Sequence, residues 1–174
     1  MIKIIEYTIF FALVVLIQVL LIDNIHIGSF VIINISILYI ISLPLETPSW
    51  IVLLLSAILG ATIDAMSGAP AINTITTTLL AYIRKPMVDL FLGKKDETER
   101  GVITALRMGF SHFIIFIFAM ILLQNSVIFT LETLSFNNFH LLLLRIIAST
   151  ICSTIFVYIL HLPFFRGSEY DNNI

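Results

Sequence analysis

The stretch Trp50-Ile-Val-Leu-Leu-Leu-Ser56-Ala-Ile-Leu-Gly60-Ala-Thr-Ile-Asp64-Ala-Met66 decides the fold. Apart from one carboxylate its side chains are apolar or small, so it reads as a helix whose solvent is hydrocarbon. Ser56, Gly60 and Asp64 recur every four residues and share one helix face, and Ala57 and Ala61 widen that stripe. Small residues at this spacing let helix backbones approach closely in lipid. The rest of the chain agrees. Of 174 residues, 59% are hydrophobic and 11% are charged, as 9 Lys+Arg and 11 Asp+Glu, where a soluble domain carries roughly 25%. So few charges cannot cover a water-facing surface, and the length suits one domain. A lone thiol, Cys152, excludes a disulfide scaffold, and a net charge of -2 excludes a nucleic-acid binder.

Apolar runs fall at 4–22, 28–43, 50–66, 70–83, 102–123 and 139–162. They predict an all-α integral membrane protein, a six-helix transmembrane bundle with residues 1–174 forming a single transmembrane domain. The run from Ile4 to Ile22 follows Lys3 as a signal peptide would. It is longer than a usual signal core and ends Leu20-Leu21-Ile22-Asp23 with no small-residue cleavage site, so it reads as a retained first helix. With six crossings, one face holds Lys3, Arg84, Lys85, Lys94, Lys95, Arg100 and Arg166, while the opposite loops hold Asp23 and Glu132 and no Lys or Arg. The positive-inside rule puts the basic face, and both termini, in the cytoplasm.

Two segments depart from a plain span. Residues 70–83 would rise only about 21 Å against a hydrocarbon layer of roughly 30 Å, and they include Asn73, Thr74, Thr76, Thr77 and Thr78. This predicts a short polar helix walled off from lipid by its neighbours, or the return arm of a re-entrant hairpin over 50–83. Residues 84–100 carry nine of the chain's charges around the apolar stretch Met87–Leu92. They read as a cytoplasmic amphipathic connector, either drawn to anionic lipid or docking a partner. Arg84, Lys85, Phe91, Lys94 and Lys95 are its candidate contact residues.

At membrane depth, Arg145, Ser149 and Ser153 repeat the four-residue spacing of Ser56, Gly60 and Asp64. Packing the third helix antiparallel to the sixth would pair Asp64 with Arg145, Gly60 with Ser149, and Ser56 with Ser153. Burying either charge alone costs about 2.5–3.5 kcal/mol, so each needs a partner, and Glu132, Asp23 and lipid phosphate compete with Asp64 for Arg145. Gln18, Asn34, Asn73 and Gln124 count to the outer half. They would line a polar cavity open to the outside, or make separate interhelical hydrogen bonds. The scattered His26, His112, His140 and His161 give no metal-ligand spacing. A single deep carboxylate cannot form an aspartyl dyad, and Ser111 and His112 point about 100° apart on a helix. No catalytic, cofactor or metal site is expected, and the chain reads as no enzyme.

The stretch Gly60-Ala-Thr-Ile-Asp64-Ala-Met-Ser-Gly68-Ala-Pro-Ala-Ile-Asn73, followed by Leu80-Ala-Tyr-Ile83, resembles the central motif of the rod shape-determining protein MreD family. Gln18-Val-Leu-Leu-Ile-Asp23-Asn24, Leu43-Pro44 with Glu46-Thr-Pro48, and Leu144-Arg145-Ile-Ile-Ala-Ser149 fit the same family in order and spacing. The resemblance covers nearly the whole chain and is closest over residues 12–86. Two departures stand out. Ala71 and Ile72 occupy the stretch where the family commonly has a glycine before the residue matching Asn73, and Asn34 lies near where a proline often opens the second helix. The resemblance implies a non-enzymatic subunit of the cell-elongation machinery, resident in the cell inner membrane and helping regulate peptidoglycan synthesis and cell shape. Its implied partners are MreC directly and, through the complex, the MreB filament and the peptidoglycan glycosyltransferase–transpeptidase pair. The family is also similar in fold to the substrate-binding subunits of energy-coupling-factor vitamin transporters, which supplies the alternative function. That alternative needs an outer pocket with aromatic walls; Trp50 lies at the inner end, leaving Phe30, Phe129, Phe136 and Phe139.

Overall fold

A computed structural model describes residues 2–22, 31–68, 70–92, 103, 109–133 and 139–165. Among them there are helices and connecting turns and no strand. Helix α1 spans Ile2–Leu16 and widens into a π-helical segment, Ile17–Ile22. Helix α2 is Ser36–Ser42, α3 is Ser49–Ser67, α4 is Ile72–Leu92, α5 is Phe110–Thr133 and α6 is Phe139–Phe165. Within these, Ser49–Ser67, Phe110–Glu132 and His140–His161 are long and apolar enough to cross a membrane.

Helices α3 and α4 form one antiparallel hairpin and α5 and α6 another, and α4 packs on α5 to join them. Aromatic contacts fix the second hairpin's register. Phe110 meets Tyr158 at 5.6 Å and Phe113 meets His161 at 4.7 Å between centroids, while Arg145 lies over Phe129 at the opposite end. Helix α2 touches α1, α3, α4 and α6, and every one of its residues is buried. The architecture is therefore a wall of long helices around a short central one. Tyr39 anchors that centre, stacked on Phe10 and edge-on to Phe11 of α1.

Three helices differ in their bounds from the hydropathy reading, two of them because a polar residue that ends an apolar run is satisfied inside the bundle. In the second run residues 31–35 are non-helical and helix α2 begins only at Ser36; residues 28–30 lie outside the described residues. The fourth helix does not stop at Ile83 or form a short arm. It continues through Arg84 and Pro86 to Leu92, because Arg84 is buried and Phe91 packs edge-on against Phe116 at 5.8 Å. At 21 residues it rises about 32 Å. The fifth helix runs from Phe110 to Thr133 instead of over 102–123, with residues 103 and 109 non-helical. Gln124 and Asn125 are buried within it, and the hydroxyls of Ser126 and Thr130 bond to carbonyls one turn back, at 2.7 and 2.6 Å. Glu132 thus lies in the last turn of α5 and not in a loop.

The turn between α3 and α4 is unusually constrained. Gly68 closes α3 in the left-handed conformation, φ 68°, and its N–H donates to the Asp64 carbonyl. Ala71 is also left-handed, φ 54°, and its carbonyl accepts the first α4 bond, from the Ile75 N–H at 3.1 Å. A Cβ in that region costs about 1–2 kcal/mol. Ala71 sits just where the resemblance leads one to expect a glycine, and it is exposed. Ala71→Gly is therefore expected to stabilise the protein by about 1 kcal/mol net of the freer unfolded chain, read as a raised midpoint of thermal unfolding in detergent.

Candidate functional site

The α3–α4 junction is built on one carboxylate. Ala71 occupies the N-cap position of α4, and its side chain has no oxygen to satisfy the open amides of the first turn. Asp64, in the last turn of α3 and 6% exposed, supplies the acceptors across the hairpin. Its Oδ1 accepts from the Asn73 N–H and from Asn73 Nδ2, each at 3.0 Å. Its Oδ2 accepts from the Thr74 N–H at 2.8 Å and from the Thr74 hydroxyl at 2.6 Å. These two amides are the ones an N-cap side chain normally takes, and a carboxylate there also meets the positive end of the helix dipole.

Close approach of the two helices depends on Gly60. A Cβ there would lie 2.5 Å from Thr74 Cα and 2.6 Å from the Asn73 carbonyl oxygen, so the backbone of α4 excludes any side chain. Thr77 closes the seam: its hydroxyl lies 2.8 Å from the Ser56 carbonyl and 2.7 Å from the Asn73 carbonyl, and its one proton serves either acceptor.

A second polar assembly surrounds the non-helical stretch Val31–Ile35. Its amides would be orphaned in an apolar interior, and side chains satisfy them. The Ser149 hydroxyl accepts from the Ile32 N–H and the Ser153 hydroxyl from the Asn34 N–H, both at 3.1 Å. Residues four apart on a helix share a face and rise about 6 Å, so serines at that spacing reach two open amides of one non-helical segment. From α1, Gln18 grips the same stretch twice. It donates to the Ile33 carbonyl at 3.2 Å and accepts from the Ile35 N–H at 3.0 Å. Asn34 Nδ2 donates to Asn125 Oδ1 at 3.5 Å, Asn125 donates to the Thr150 hydroxyl at 3.2 Å, and Gln124 donates to the Ser36 hydroxyl at 2.8 Å. Gln18, Asn34, Ser36, Gln124, Asn125, Ser149, Thr150 and Ser153 are all buried.

These arrangements correct the expected pairings. Asp64 and Arg145 do not form a pair: both Asp64 oxygens are taken up at the start of α4, which follows α3 after a tight turn and offers donors without crossing the bundle. Arg145 faces α5 instead, its guanidinium carbon 4.8 Å from the Phe129 ring centroid and its charge felt at Glu132. Ser56 and Gly60 pack on α4 and not on the serines of α6, which hold the 31–35 backbone. Nor do the four outer polar residues line one cavity. Gln18, Asn34 and Gln124 surround residues 31–36 and are buried, while Asn73 belongs to the Asp64 cap. Among the contact residues assigned to 84–100, Arg84 is buried and its guanidinium donates to the Leu43 carbonyl at the end of α2, where a cation complements the helix dipole. Phe91 packs inward and Lys85 is exposed. Lys94 and Lys95 lie outside the described residues, as do Asp23, Phe30 and Phe136.

No family model, curated protein or solved structure matches the chain. Among the described residues no three His, Cys, Asp or Glu side chains are grouped to hold a metal ion. The site can therefore be stated in chemical terms only: two sets of buried polar groups, each satisfying backbone that the helices leave open. Asn125 and Thr150 belong to it and were not singled out by sequence, and Thr74 was read only as part of a polar helix. The doublets Gln124-Asn125 and Ser149-Thr150, facing each other across the α5–α6 hairpin, were the available signal.

Asp64→Ala, which leaves two amides and two side-chain donors without acceptors, is expected to cost about 2–3 kcal/mol. Asp64→Asn, which keeps one acceptor oxygen, is expected to cost less. Gly60→Ala is expected to cost about 1–3 kcal/mol through overpacking. Unfolding midpoints of the three variants in one detergent check the order, and an Asp64→Ala protein as stable as the parent contradicts the capping role.

Proposed function

We propose that the chain is a non-enzymatic, MreD-like subunit of the cell-elongation machinery, acting in the cytoplasmic membrane as a scaffold that binds MreC. In this reading α1, the 31–42 segment and α3 to α6 make six crossings with both termini cytoplasmic. MreC in turn links the subunit to the MreB filament and the peptidoglycan glycosyltransferase–transpeptidase pair. The observation that carries the reading is the convergence of Gly60, Asp64, Gly68 and Asn73 at one junction. These are the residues on which the resemblance rests, and each has a distinct physical task there: close approach, capping, a left-handed helix end and a donor pair. A motif whose members interlock in this way is a structural unit and not a chance string of small and polar residues.

The alternative, a vitamin-binding transporter subunit, draws less support. Three of the four polar residues that would converge on a ligand are buried and bonded within the bundle, and Trp50 is 66% exposed on its outside.

Affinity purification of the tagged chain from gently solubilised membranes tests the assignment. MreC is expected to co-purify with the parent, and its recovery is expected to fall at least several-fold with Asp64→Ala at equal membrane abundance. Recovery of a stoichiometric small molecule without MreC overturns the scaffold reading in favour of transport.

A further inference from the structure

Arg84 is 5% exposed, and Leu80, Ala81 and Val88 on the same face of α4 belong to the core. Its guanidinium carries five N–H donors. One bond is made, to the Leu43 carbonyl, and Nε is buried with no acceptor among the described residues. No carboxylate answers the charge. Glu46, three residues past Leu43, and Asp89, five past Arg84, make no ion pair with it among the described residues. The side chain whose charge it feels is that of Tyr7 on α1, a phenol and not a carboxylate. The carbonyl end of a helix supplies at most about half a negative charge, and α2 has only 7 residues. Arg84 is thus a buried cation with a spare donor and about half its charge unmatched.

The level of Arg84 in the bundle points to the source of the missing anion. The Thr77 hydroxyl meets the Ser56 carbonyl across the antiparallel α3–α4 hairpin. Seven residues on from Thr77 is Arg84, and seven back from Ser56 is Ser49, so Arg84 stands level with the first residue of α3. Trp50 follows there, exposed on the outside of the bundle, as tryptophans at a membrane–water boundary are. Beyond Leu43 the chain turns through residues 44–48, which are half-buried or exposed, so this end of α2 lies at the edge of the bundle. Lipid phosphates lie at the same height.

We infer that Arg84 anchors a site for a phosphate oxyanion, supplied by the headgroup of an anionic phospholipid. A phosphate oxygen accepts the Nε proton while the existing bond to Leu43 is kept, and the planar guanidinium suits such an oxyanion. A headgroup with no cation of its own leaves the phosphate charge free to match that of Arg84. The site depends neither on the function proposed above nor on which side of the membrane this end faces.

Lipid retention by the purified full chain tests the site. Native mass spectra are recorded after release from micelles doped with phosphatidylglycerol or with phosphatidylcholine. A single phosphatidylglycerol is expected to stay on the parent, and phosphatidylcholine is expected to be lost. Arg84→Gln, which keeps a donor for Leu43 and removes the charge, is expected to lower retention about tenfold. Lys85→Gln, which removes an exposed charge one residue away, is expected to leave retention unchanged. Equal retention by the parent and Arg84→Gln, or an equal loss in both variants, overturns the proposal. Inorganic phosphate separates the two sources of the oxyanion. It is expected to leave the parent's unfolding midpoint in lipid-free detergent unmoved, and a rise as large as that with phosphatidylglycerol overturns the lipid assignment. Should Arg84→Gln not fold, the parent decides. Titrating phosphatidylglycerol into phosphatidylcholine nanodiscs is expected to raise its midpoint with saturation at a single lipid per chain. No rise, or one that climbs with lipid charge without saturating, overturns the site.

Discussion

The Asp64 carboxylate is the constraint on which the α3–α4 half of the bundle rests. A helix entering an apolar interior with an alanine at its cap has open amides and no local means of closing them. Here the preceding helix brings the missing oxygens, and its terminal glycine and a left-handed alanine turn the chain so that they arrive at the right two amides. The close approach at Gly60 follows from the same geometry, since a carboxylate reaches the next helix's first turn only when the two backbones nearly touch. The carboxylate is thereby satisfied by hydrogen bonds and the positive end of a helix dipole instead of by a counter-charge.

The other half obeys the same logic with different chemistry. Arg84 closes the carbonyl end of α2, as Asp64 closes the amide end of α4, and uncharged amides and hydroxyls take up the backbone between. Polar side chains in this protein are consequently partners of main chain more often than of one another. That bears on how its charged and amide residues are to be read: burial and periodicity mark them as architectural before they mark a ligand site.

Much of the fold was legible in composition and spacing. Helices α1, α3 and α6 fall within a few residues of the apolar runs, because their polar residues are few and fall on one stripe. The junction motif was legible too, as a set of residues, though not as a cap. What hydropathy could not show was where polar residues find partners. Arg84 and Gln124 end apolar runs in sequence and sit in mid-helix in the structure, satisfied by Leu43 and Ser36. The matched spacing of Ser56, Gly60 and Asp64 with Ser149, Ser153 and Arg145 suggested that these faces meet. Spacing alone does not distinguish a helix partner from the open amides of a non-helical segment, and the α6 serines serve the latter. The break at residues 31–35 was invisible because no proline or glycine announces it.

Those serines stand 117 and 119 residues downstream of the amides they satisfy. During synthesis the early segment therefore leaves the ribosome long before its partners exist, and α6 is the last described helix to be made. The centre of the bundle is finished last: the α3–α4 hairpin can be in place while the middle is still provisional. Biogenesis and quality control of such a chain would turn on delivery of its final helix.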